Sequence, residues 1–233
     1  MTECIASFDI GSKNFCFYVQ EIDVSQLNTI QNITIQDRYH DDGTPTPKMT
    51  SILNELYKNG TTVVHVNIDL TTDCKKSKQL DQNVFYNMNA VLDKYSTIWD
   101  KCSIFLVEQQ MSFRGKINTN ALKLGQHCQS YFFFRYGKFK KVIEYPAYHK
   151  TSVLGSQKLT KGITKKGTIK YTVITKPARK KWAVKKALEI LTIKNETTSS
   201  LFKPKIKKDD LADTLIQLES FKYLYYINKS VFS

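Results

Sequence analysis

The sequence predicts an α/β fold in which a mixed five-stranded sheet, with its first three strands antiparallel, carries helices on both faces. Three observations predict this fold. Between residues 5 and 22, two apolar runs flank a short turn at Gly11, which is the pattern of a β-hairpin. Residues 103–108 form a continuous apolar run, as expected for a central strand that is buried on both faces. After this run, helical and strand patterns alternate.

The individual elements follow from hydrophobic periodicity and turn residues. Five strands are predicted at about residues 5–10, 14–22, 62–70, 103–108 and 141–146. Helices are predicted at about residues 48–58, 79–100, 119–136, 178–192 and 207–226. Within helix 119–136, Gly125 predicts a close approach of the helix backbone to the sheet. A short β-hairpin arm is expected near residues 171–175.

The composition indicates a nucleic-acid-binding protein. The chain has 233 residues, a formal net charge of +14 and a pI near 9.4. A protein this basic usually has a polyanionic partner. No apolar stretch reaches transmembrane length and no signal-peptide pattern opens the chain, so we expect nucleic acid rather than a membrane. We therefore expect an intracellular protein that is not secreted, and one domain that spans residues 1–233.

The cysteines give no sign of a disulfide framework or a zinc site. They are odd in number, scattered, and form no CxxC pair: Cys4, Cys16, Cys74, Cys102 and Cys128. We expect reduced thiols that mostly fill the core.

Four carboxylates stand where they could converge. Asp9 lies inside the first strand, where a lone acid needs a compensating partner. Glu108 ends the central strand, at the edge where α/β sheets place ligands. Asp210 and Asp213 are three residues apart on one face at the start of the last helix; Asp209 is the neighbouring alternative. Together these acids would require divalent cations, and two Mg²⁺ ions about 4 Å apart suit displacement at phosphorus.

Basic residues are concentrated in one long segment. Between Glu144 and Glu189 the chain holds twelve lysines and arginines and no acid. Charge of one sign over so long a span repels itself unless an anion is bound, which predicts contact with a nucleic-acid backbone. The candidate nucleic-acid-binding residues are Lys13, Arg114, Lys116, Lys165, Lys166, Arg179, Lys180 and Lys181.

Five short segments, in order along the chain, resemble the RuvC-type Holliday junction resolvases of the RNase H-like superfamily, including those of large DNA viruses such as poxviruses. The segments are residues 8–14 (FDIGSKN), 107–109 (VEQ), 121–126 (ALKLGQ), 144–145 (EY) and 209–213 (DDLAD). Relative to this family, residues 24–60 and 155–179 resemble insertions. Met111 and Phe113 stand near the place where bacterial members carry an aromatic residue at the junction centre.

The resemblance implies an RNase H-like fold and a magnesium-dependent endonuclease. It makes Asp9, Glu108, Asp210 and Asp213 the ligands of two Mg²⁺ ions per active site, with Mn²⁺ as the alternative metal. It adds Lys150 as a basic catalytic residue. It also implies a homodimer that cuts a four-way DNA junction symmetrically and, for a viral protein, acts at the replication site in the host cytoplasm or nucleus.

Three other functions remain open at this stage. An RNase H-fold nuclease acting on RNA or on another branched nucleic acid would use the same acids. An actin-like ATPase would explain residues 9–14, although the chain is short for two lobes. A non-catalytic binding protein would explain the basic charge, with the acids serving as solvated strand ends or helix-start residues.

The helix predicted at 119–136 carries a run of aromatic residues that predicts a dimer interface. These are Tyr131, Phe132, Phe133, Phe134 and Tyr136. Successive residues lie about 100° apart around a helix, so four consecutive ones point in directions that one core cannot all bury. We expect some of them to pack on the same helix of a second copy.

Overall fold

A five-stranded sheet forms the centre of the computed structural model, which describes residues 1–74, 80–110, 118–164, 167–197, 199–203 and 208–229. Its strands are Thr2–Asp9 (β1), Phe15–Asp23 (β2), Thr61–Ile68 (β3), Cys102–Glu108 (β4) and Lys141–Tyr145 (β5). They lie in the order β3-β2-β1-β4-β5. The pairs β1–β2 and β2–β3 are antiparallel, whereas β1–β4 and β4–β5 are parallel. The predicted mixed sheet, with three antiparallel strands first, is confirmed.

Helices cover both faces of this sheet, as predicted. They are Val24–Thr29 (α1), Pro47–Lys58 (α2), Gln82–Lys94 (α3), Ser96–Trp99 (α4), Thr119–Tyr136 (α5), Tyr148–Val153 (α6), Lys176–Ile193 (α7) and Asp209–Lys222 (α8). Residues of α2, α7 and α8 form one apolar core with the sheet, and residues of α3, α4 and α5 form the other. Within the described residues, no helix is long and apolar enough to cross a membrane.

Two predicted helices differ in detail from those observed. The helix predicted at 79–100 is interrupted at Tyr95, whose backbone leaves the helical region before α4 begins. The buried Trp99 indole N–H donates to the Leu92 carbonyl at 2.7 Å, which folds α4 back onto α3. At the C-terminus, α8 continues as a π-helical turn over Tyr223–Asn228.

Gly125 does not mark a close approach of α5 to the sheet. A Cβ atom added at this residue would meet nothing within 4 Å among the described residues. The prediction of tight backbone packing at this residue is therefore wrong, although Gly125 itself is buried. None of the cysteines, all of which lie in the described residues, forms a disulfide; Cys4, Cys16, Cys102 and Cys128 are buried.

The two segments that resemble insertions pack on each other. Residues 155–179 contain an antiparallel ribbon of two strands, Leu159–Ile163 (β6) and Ile169–Thr172 (β7), which begins before the arm predicted at 171–175. At its base, Lys158 N donates to the Asp42 carbonyl at 2.7 Å and Gln157 Nε2 donates to Asp42 Oδ2 at 3.2 Å. Gly155, at φ +75°, lies so close to Pro45 that a Cβ atom would be 2.5 Å from Pro45 Cδ. The loop before α2 therefore supports the base of the ribbon.

A buried ion network fixes α8 to its neighbours. Lys222 Nζ lies 2.8 Å from Glu219 Oε2, and Lys194 Nζ lies 3.6 Å from Glu219 Oε1. Lys222 Nζ also donates to the Leu56 and Asn59 carbonyls, at 3.2 and 2.8 Å. Burial lowers the pKa of Lys222 to about 8, against the opposing effect of Glu219. The network joins α8 to the end of α2 and thereby fixes the helix that carries Asp210 and Asp213.

Candidate active site

Asp9 and Glu108 lie side by side at one edge of the sheet. They are the last residues of β1 and β4, and these strands are parallel with Phe8 opposite Val107. The two carboxylates therefore leave adjacent strands at the same end, because the carboxyl ends of parallel strands meet at one edge. Phe8 and Val107, directly before the two acids, are apolar and fully buried, which fixes the register and hence the position of the two acids.

Gln217 fastens α8 beneath this edge. Its buried Nε2 atom lies 3.0 Å from Ser7 Oγ and 3.3 Å from the Phe8 carbonyl oxygen, next to Asp9 in the chain. It also lies 3.4 Å from the Leu106 carbonyl oxygen on β4. Asp213 is one helical turn before Gln217, so the same attachment directs Asp213 toward the strand ends. Sequence reasoning missed Gln217, although a polar residue one turn after Asp213 on a buried helix was a usable signal.

His65 holds the first turn of α8 from the other side. His65 Nε2 lies 2.9 Å from the Leu211 carbonyl oxygen and 3.3 Å from Thr214 Oγ1. Burial lowers the pKa of His65 to about 4, against the raising effect of the Leu211 hydrogen bond. The imidazole is therefore neutral near pH 7, and its Nε2–H donates to Leu211. Nothing in the sequence pattern around His65 distinguishes it from the other residues of β3.

Lys150 connects the acids directly. It lies on α6 with its side chain only 7% exposed, and its Nζ atom is 3.2 Å from Glu108 Oε1 and 3.3 Å from Asp213 Oδ1. Burial acts to lower the pKa of Lys150, but Glu108, Asp213 and Asp9 outweigh it and raise the pKa. The ammonium group is therefore charged, and it is the counter-ion that allows these carboxylates to lie together.

The charges of the carboxylates affect one another's pKa values. Burial raises the pKa of Asp9 well above its usual value; Glu108 adds to this effect, and Lys150 opposes it. Asp213 and Asp210 also contribute to the raised pKa of Asp9. Burial likewise raises the pKa of Asp213, while Lys150 opposes the shift. Glu108, Asp210 and Asp213 thus all lie close enough to Asp9 for their charges to raise its pKa.

Asp209 and Asp210 have different surroundings. The Asp209 carboxylate forms an ion pair with Lys180 of α7. The ammonium of Lys180, predicted to contact nucleic acid, is thus directed toward the edge of the acidic cluster. Asp210 is partly buried and its charge acts on Asp9. The preference for Asp210 over Asp209 as a metal ligand stays a prediction.

The other basic candidates are divided between surface and undescribed positions. Lys13 is exposed in the turn between β1 and β2, and Arg179 and Lys181 are exposed on the first turn and a half of α7. The remaining candidates lie outside the described residues, as do the two possible junction-centre residues: Arg114, Lys116, Lys165, Lys166, Met111 and Phe113.

The donor chemistry of the cluster fits a hard divalent cation. Asp9, Glu108, Asp210 and Asp213 offer carboxylate oxygens, the ligands that Mg²⁺ and Mn²⁺ prefer. In the part of the chain that the structure describes, no three His, Cys, Asp or Glu side chains are already arranged to hold a metal ion. Lys150 supplies one positive charge among these acids, and the raised pKa of Asp9 indicates that this charge leaves the cluster incompletely neutralised.

The chain is similar over nearly its whole length to two viral proteins. It is 31% identical over 245 residues to uncharacterized protein 170L of Invertebrate iridescent virus 6, covering 97% of this chain and 91% of that protein. It is 33% identical over 226 residues to uncharacterized protein 97L of Invertebrate iridescent virus 3, covering 94% of this chain and 98% of that protein. No model of a protein family matches the chain.

Two solved structures share the fold. The fowlpox virus resolvase, in complex with substrate Holliday junction DNA, matches with a TM-score of 0.54 and 14% identity, over 95% of this chain and 98% of that chain. The yeast mitochondrial Holliday junction resolvase Ydc2 matches with a TM-score of 0.51 and 12% identity, over 97% of this chain and 82% of that chain. At these identities the similarity establishes the fold, and the predicted RNase H-like α/β architecture is confirmed.

Proposed function

We propose that this chain, which belongs to the same family as the iridescent virus proteins 170L and 97L, is a structure-selective endodeoxyribonuclease that resolves four-way DNA junctions by metal-dependent phosphodiester hydrolysis. One observation carries the proposal. Asp9 and Glu108 end adjacent parallel strands, and Lys150 joins Glu108 to Asp213 of α8. An acidic cluster inside a protein of net charge +14 is the charge distribution expected when cations mediate contact with a polyanion.

The proposed metal ligands are Asp9, Glu108, Asp210 and Asp213, holding two Mg²⁺ ions per site with Mn²⁺ as the alternative. When bound, such ions supply the positive charge that favours attack of water at phosphorus and departure of the leaving oxygen. Lys150 orients Glu108 and Asp213 through its two short contacts. Gln217 and His65 hold α8 in place, so the acids are positioned before any substrate binds.

The function is tested by cleavage of labelled synthetic four-way junctions, compared with linear DNA duplex and RNA–DNA hybrid, each with Mg²⁺ and with EDTA. We expect paired, Mg²⁺-dependent cuts in the junction and little cutting of the linear duplex. Faster cutting of the hybrid would favour the alternative of an RNase H-fold nuclease acting on RNA. No cutting of any substrate with Mg²⁺ or Mn²⁺ would contradict the proposal.

The basic surface that faces DNA in this proposal includes the β6–β7 ribbon and the start of α7. Every residue of β6 is exposed, and Lys161 and Lys170 project from the two strands. A two-stranded ribbon fits the major groove of B-DNA, and its lysines would contact the phosphates. Along the chain, the ribbon lies between Lys150, which contacts Glu108 of the cluster, and Lys180, which contacts Asp209 beside it.

We expect lower affinity for the junction, and a smaller dependence of that affinity on salt, when four basic residues are replaced together by alanine. These residues are Lys161, Lys170, Arg179 and Lys181. Each lost phosphate contact should reduce the slope of log affinity against log salt by about 0.9. The measurement is fluorescence anisotropy with labelled junction in EDTA. The matched control removes four exposed lysines elsewhere, Lys58, Lys94, Lys101 and Lys138, and should leave the slope near wild type. Equal slopes for both variants would mean that only net charge matters.

We also propose that the protein acts as a homodimer, because two matched cuts in a two-fold symmetric junction require two active sites. Phe132 of α5 is buried, with its ring centroid 3.9 Å from that of Phe105. Phe133 and Phe134 are 51% and 92% exposed. Tyr131 and Tyr136 donate their hydroxyls to Asp93 and Asp100. The exposed phenylalanines support an interface through α5.

We expect Phe134→Asp to give a folded monomer that nicks junctions singly, since the substitution places a charge at an exposed apolar position. Analytical ultracentrifugation at micromolar concentration and the ratio of nicked to resolved product measure the two effects. Ile35→Asp, at a residue 76% exposed in the segment before α2, is the control that should remain dimeric. A wild-type monomer that makes paired cuts would refute this interface.

Because the relatives that show the family are viral proteins, we propose that this nuclease acts where viral DNA replicates in the host cytoplasm or nucleus.

A further inference from the structure

A cationic cleft lies on α6, the helix that carries Lys150. Its volume is about 340 Å³, and its walls come from four parts of the chain: residues 38–43, residues 149–153, residues 156–158 and the π-helical turn that begins at Tyr223. Among the described residues, no carboxylate lines it, whereas the charged side chains of Arg38 and Lys158 do, together with the imidazoles of His40 and His149. None of the metal-site acids belongs to this cleft, so it is a second place where an anion would be attracted.

Two of the cationic residues are held in position. Arg38 Nη2 donates to Asn228 Oδ1 at 2.8 Å and Arg38 Nε donates to the Ile33 carbonyl at 3.2 Å, with the guanidinium carbon 5.9 Å from the Tyr223 ring centroid. These contacts use two of the five N–H donors of the guanidinium. The arginine is therefore fixed while it retains donors for a ligand.

The side chain of Lys158 lies against Gly43 in the wall of the cleft. Gly43 has φ +83°, and a Cβ atom there would lie 3.1 Å from Lys158 Cε. A side chain at residue 43 would crowd both the lysine stem and the Ser156 carbonyl oxygen, from which its Cβ atom would lie 3.2 Å. Asp42, the neighbouring acid, does not line the cleft; its carboxylate accepts from Thr44 Oγ1 at 2.6 Å and from Gln157 Nε2 at 3.2 Å.

Ser156 supplies the observation that indicates a ligand. This residue is 8% exposed and lines the cleft, and its Oγ atom has no hydrogen-bond partner within the described part of the chain. Its backbone N–H is used, donating to the Thr151 carbonyl at 2.9 Å. A buried hydroxyl without a partner is unfavourable, so such groups are usually satisfied by a ligand or a water molecule.

We propose that this cleft binds a nucleotide unit through its phosphate ester. The cationic and hydroxyl groups suit the phosphate oxygens, and Tyr39, Val153 and Leu224 form apolar walls that suit the attached sugar. The volume exceeds that of a phosphate alone. The unit comes either from a DNA strand bound to the protein or from a free nucleotide. The first source rests on the proposed function, because the cleft shares α6 with Lys150; the second does not.

The test compares Ser156→Ala and Lys158→Ala with Lys58→Ala, a control that removes an exposed lysine outside the cleft. Junction affinity is measured by anisotropy in EDTA, so that no strand is cut, across a range of salt concentrations. Thermal unfolding of each protein is measured with and without millimolar thymidine 5′-monophosphate.

If a DNA strand occupies the cleft, Lys158→Ala lowers junction affinity roughly tenfold and reduces the log–log salt slope by about 0.9, whereas Lys58→Ala does not. Ser156→Ala lowers the affinity with an unchanged slope, because a neutral hydroxyl releases no counter-ion. The same Ser156→Ala protein should melt at or above the wild-type temperature without ligand, since the unpartnered hydroxyl is gone. A merely structural serine would not combine these two effects.

If a free nucleotide is the occupant, thymidine monophosphate raises the melting temperature of the wild type and of Lys58→Ala but not of the two cleft variants, while junction affinity is the same in all. Either pattern supports a nucleotide site. Unchanged junction affinity together with no nucleotide-dependent stabilisation of the wild type would overturn it. Failure of the proposed function appears separately, as the absence of metal-dependent cutting by the wild-type protein.

Discussion

The Asp9→Asn variant should lose at least about 10³-fold of its junction-cleavage rate while binding the junction as tightly as the wild type or more tightly. The amide keeps the shape of the carboxylate but removes its charge, and with it a proposed metal ligand at the end of β1. Binding is maintained because the basic surface is unchanged and one repulsive charge facing the DNA is removed. Glu108→Gln should behave in the same way, since Glu108 ends the adjacent strand.

Stability gives this variant a second, independent measurement. Burial and Glu108 raise the pKa of Asp9 well above its usual value, so the ionised carboxylate destabilises the folded, metal-free protein above the pKa of the unfolded chain. In EDTA near pH 7, Asp9→Asn should therefore melt at a higher temperature than the wild type. Added Mg²⁺ should stabilise the wild type more than the variant.

Asp69→Asn is the matched control. Asp69 follows the end of β3, is exposed, and accepts hydrogen bonds from Thr71 N and Oγ1. This substitution should leave the cleavage rate within a few-fold of wild type. Normal cleavage by Asp9→Asn or Glu108→Gln would show that the cluster is not the catalytic site.

The second large effect is expected at Lys150. Lys150→Met should lower the free energy of unfolding in EDTA by about 3 kcal/mol, because removing one member of a buried ion pair leaves the other charges uncompensated. Here the uncompensated groups are Glu108 and Asp213, whose side chains are 17% and 26% exposed. Chemical denaturation in EDTA and in Mg²⁺ measures the effect, and Mg²⁺ should restore part of the loss by binding the folded protein.

Lys180→Met provides the comparison for Lys150. Lys180 pairs with Asp209, the acid next to the cluster, and its side chain is 43% exposed. This substitution should lower the free energy of unfolding by less than about 1 kcal/mol, as is usual for the loss of an exposed ion pair. Equal destabilisation by the two variants would contradict the role assigned to Lys150 as the internal counter-ion of the site.

The sequence by itself determined that five strands form a mixed sheet with the first three antiparallel, and it identified the candidate acids. These depend on local patterns: alternating or continuous apolar residues for β1 to β5, and a carboxylate directly after a buried run for Glu108. A strand that is buried on both faces has few alternative positions in a sheet. The pattern predicted Asp9 inside the first strand and Glu108 at the end of a central one; that Asp9 is the last residue of β1, beside Glu108, follows from the register of the folded strands.

Tertiary structure decided which side chains complete the site. Lys150 was a candidate only through a family resemblance, and only the packing of α6 shows its ammonium between Glu108 and Asp213. Gln217 and His65 were not predicted, because the partners that define their roles lie on β1, β4 and α8, far away in the chain. The break at Tyr95 likewise depends on where Trp99 is buried.

The two segments that resemble insertions also combine a property that the sequence shows with contacts that only the folded chain shows. Their polar and basic composition was visible in the sequence, but their mutual packing through Asp42 and Lys158 was not. The cleft that contains Ser156 exists only because these segments fold against α6 and the C-terminal turn. Periodicity reports how a residue relates to its neighbours within a few positions; contacts between distant segments depend on shape and charge that only the folded chain brings together.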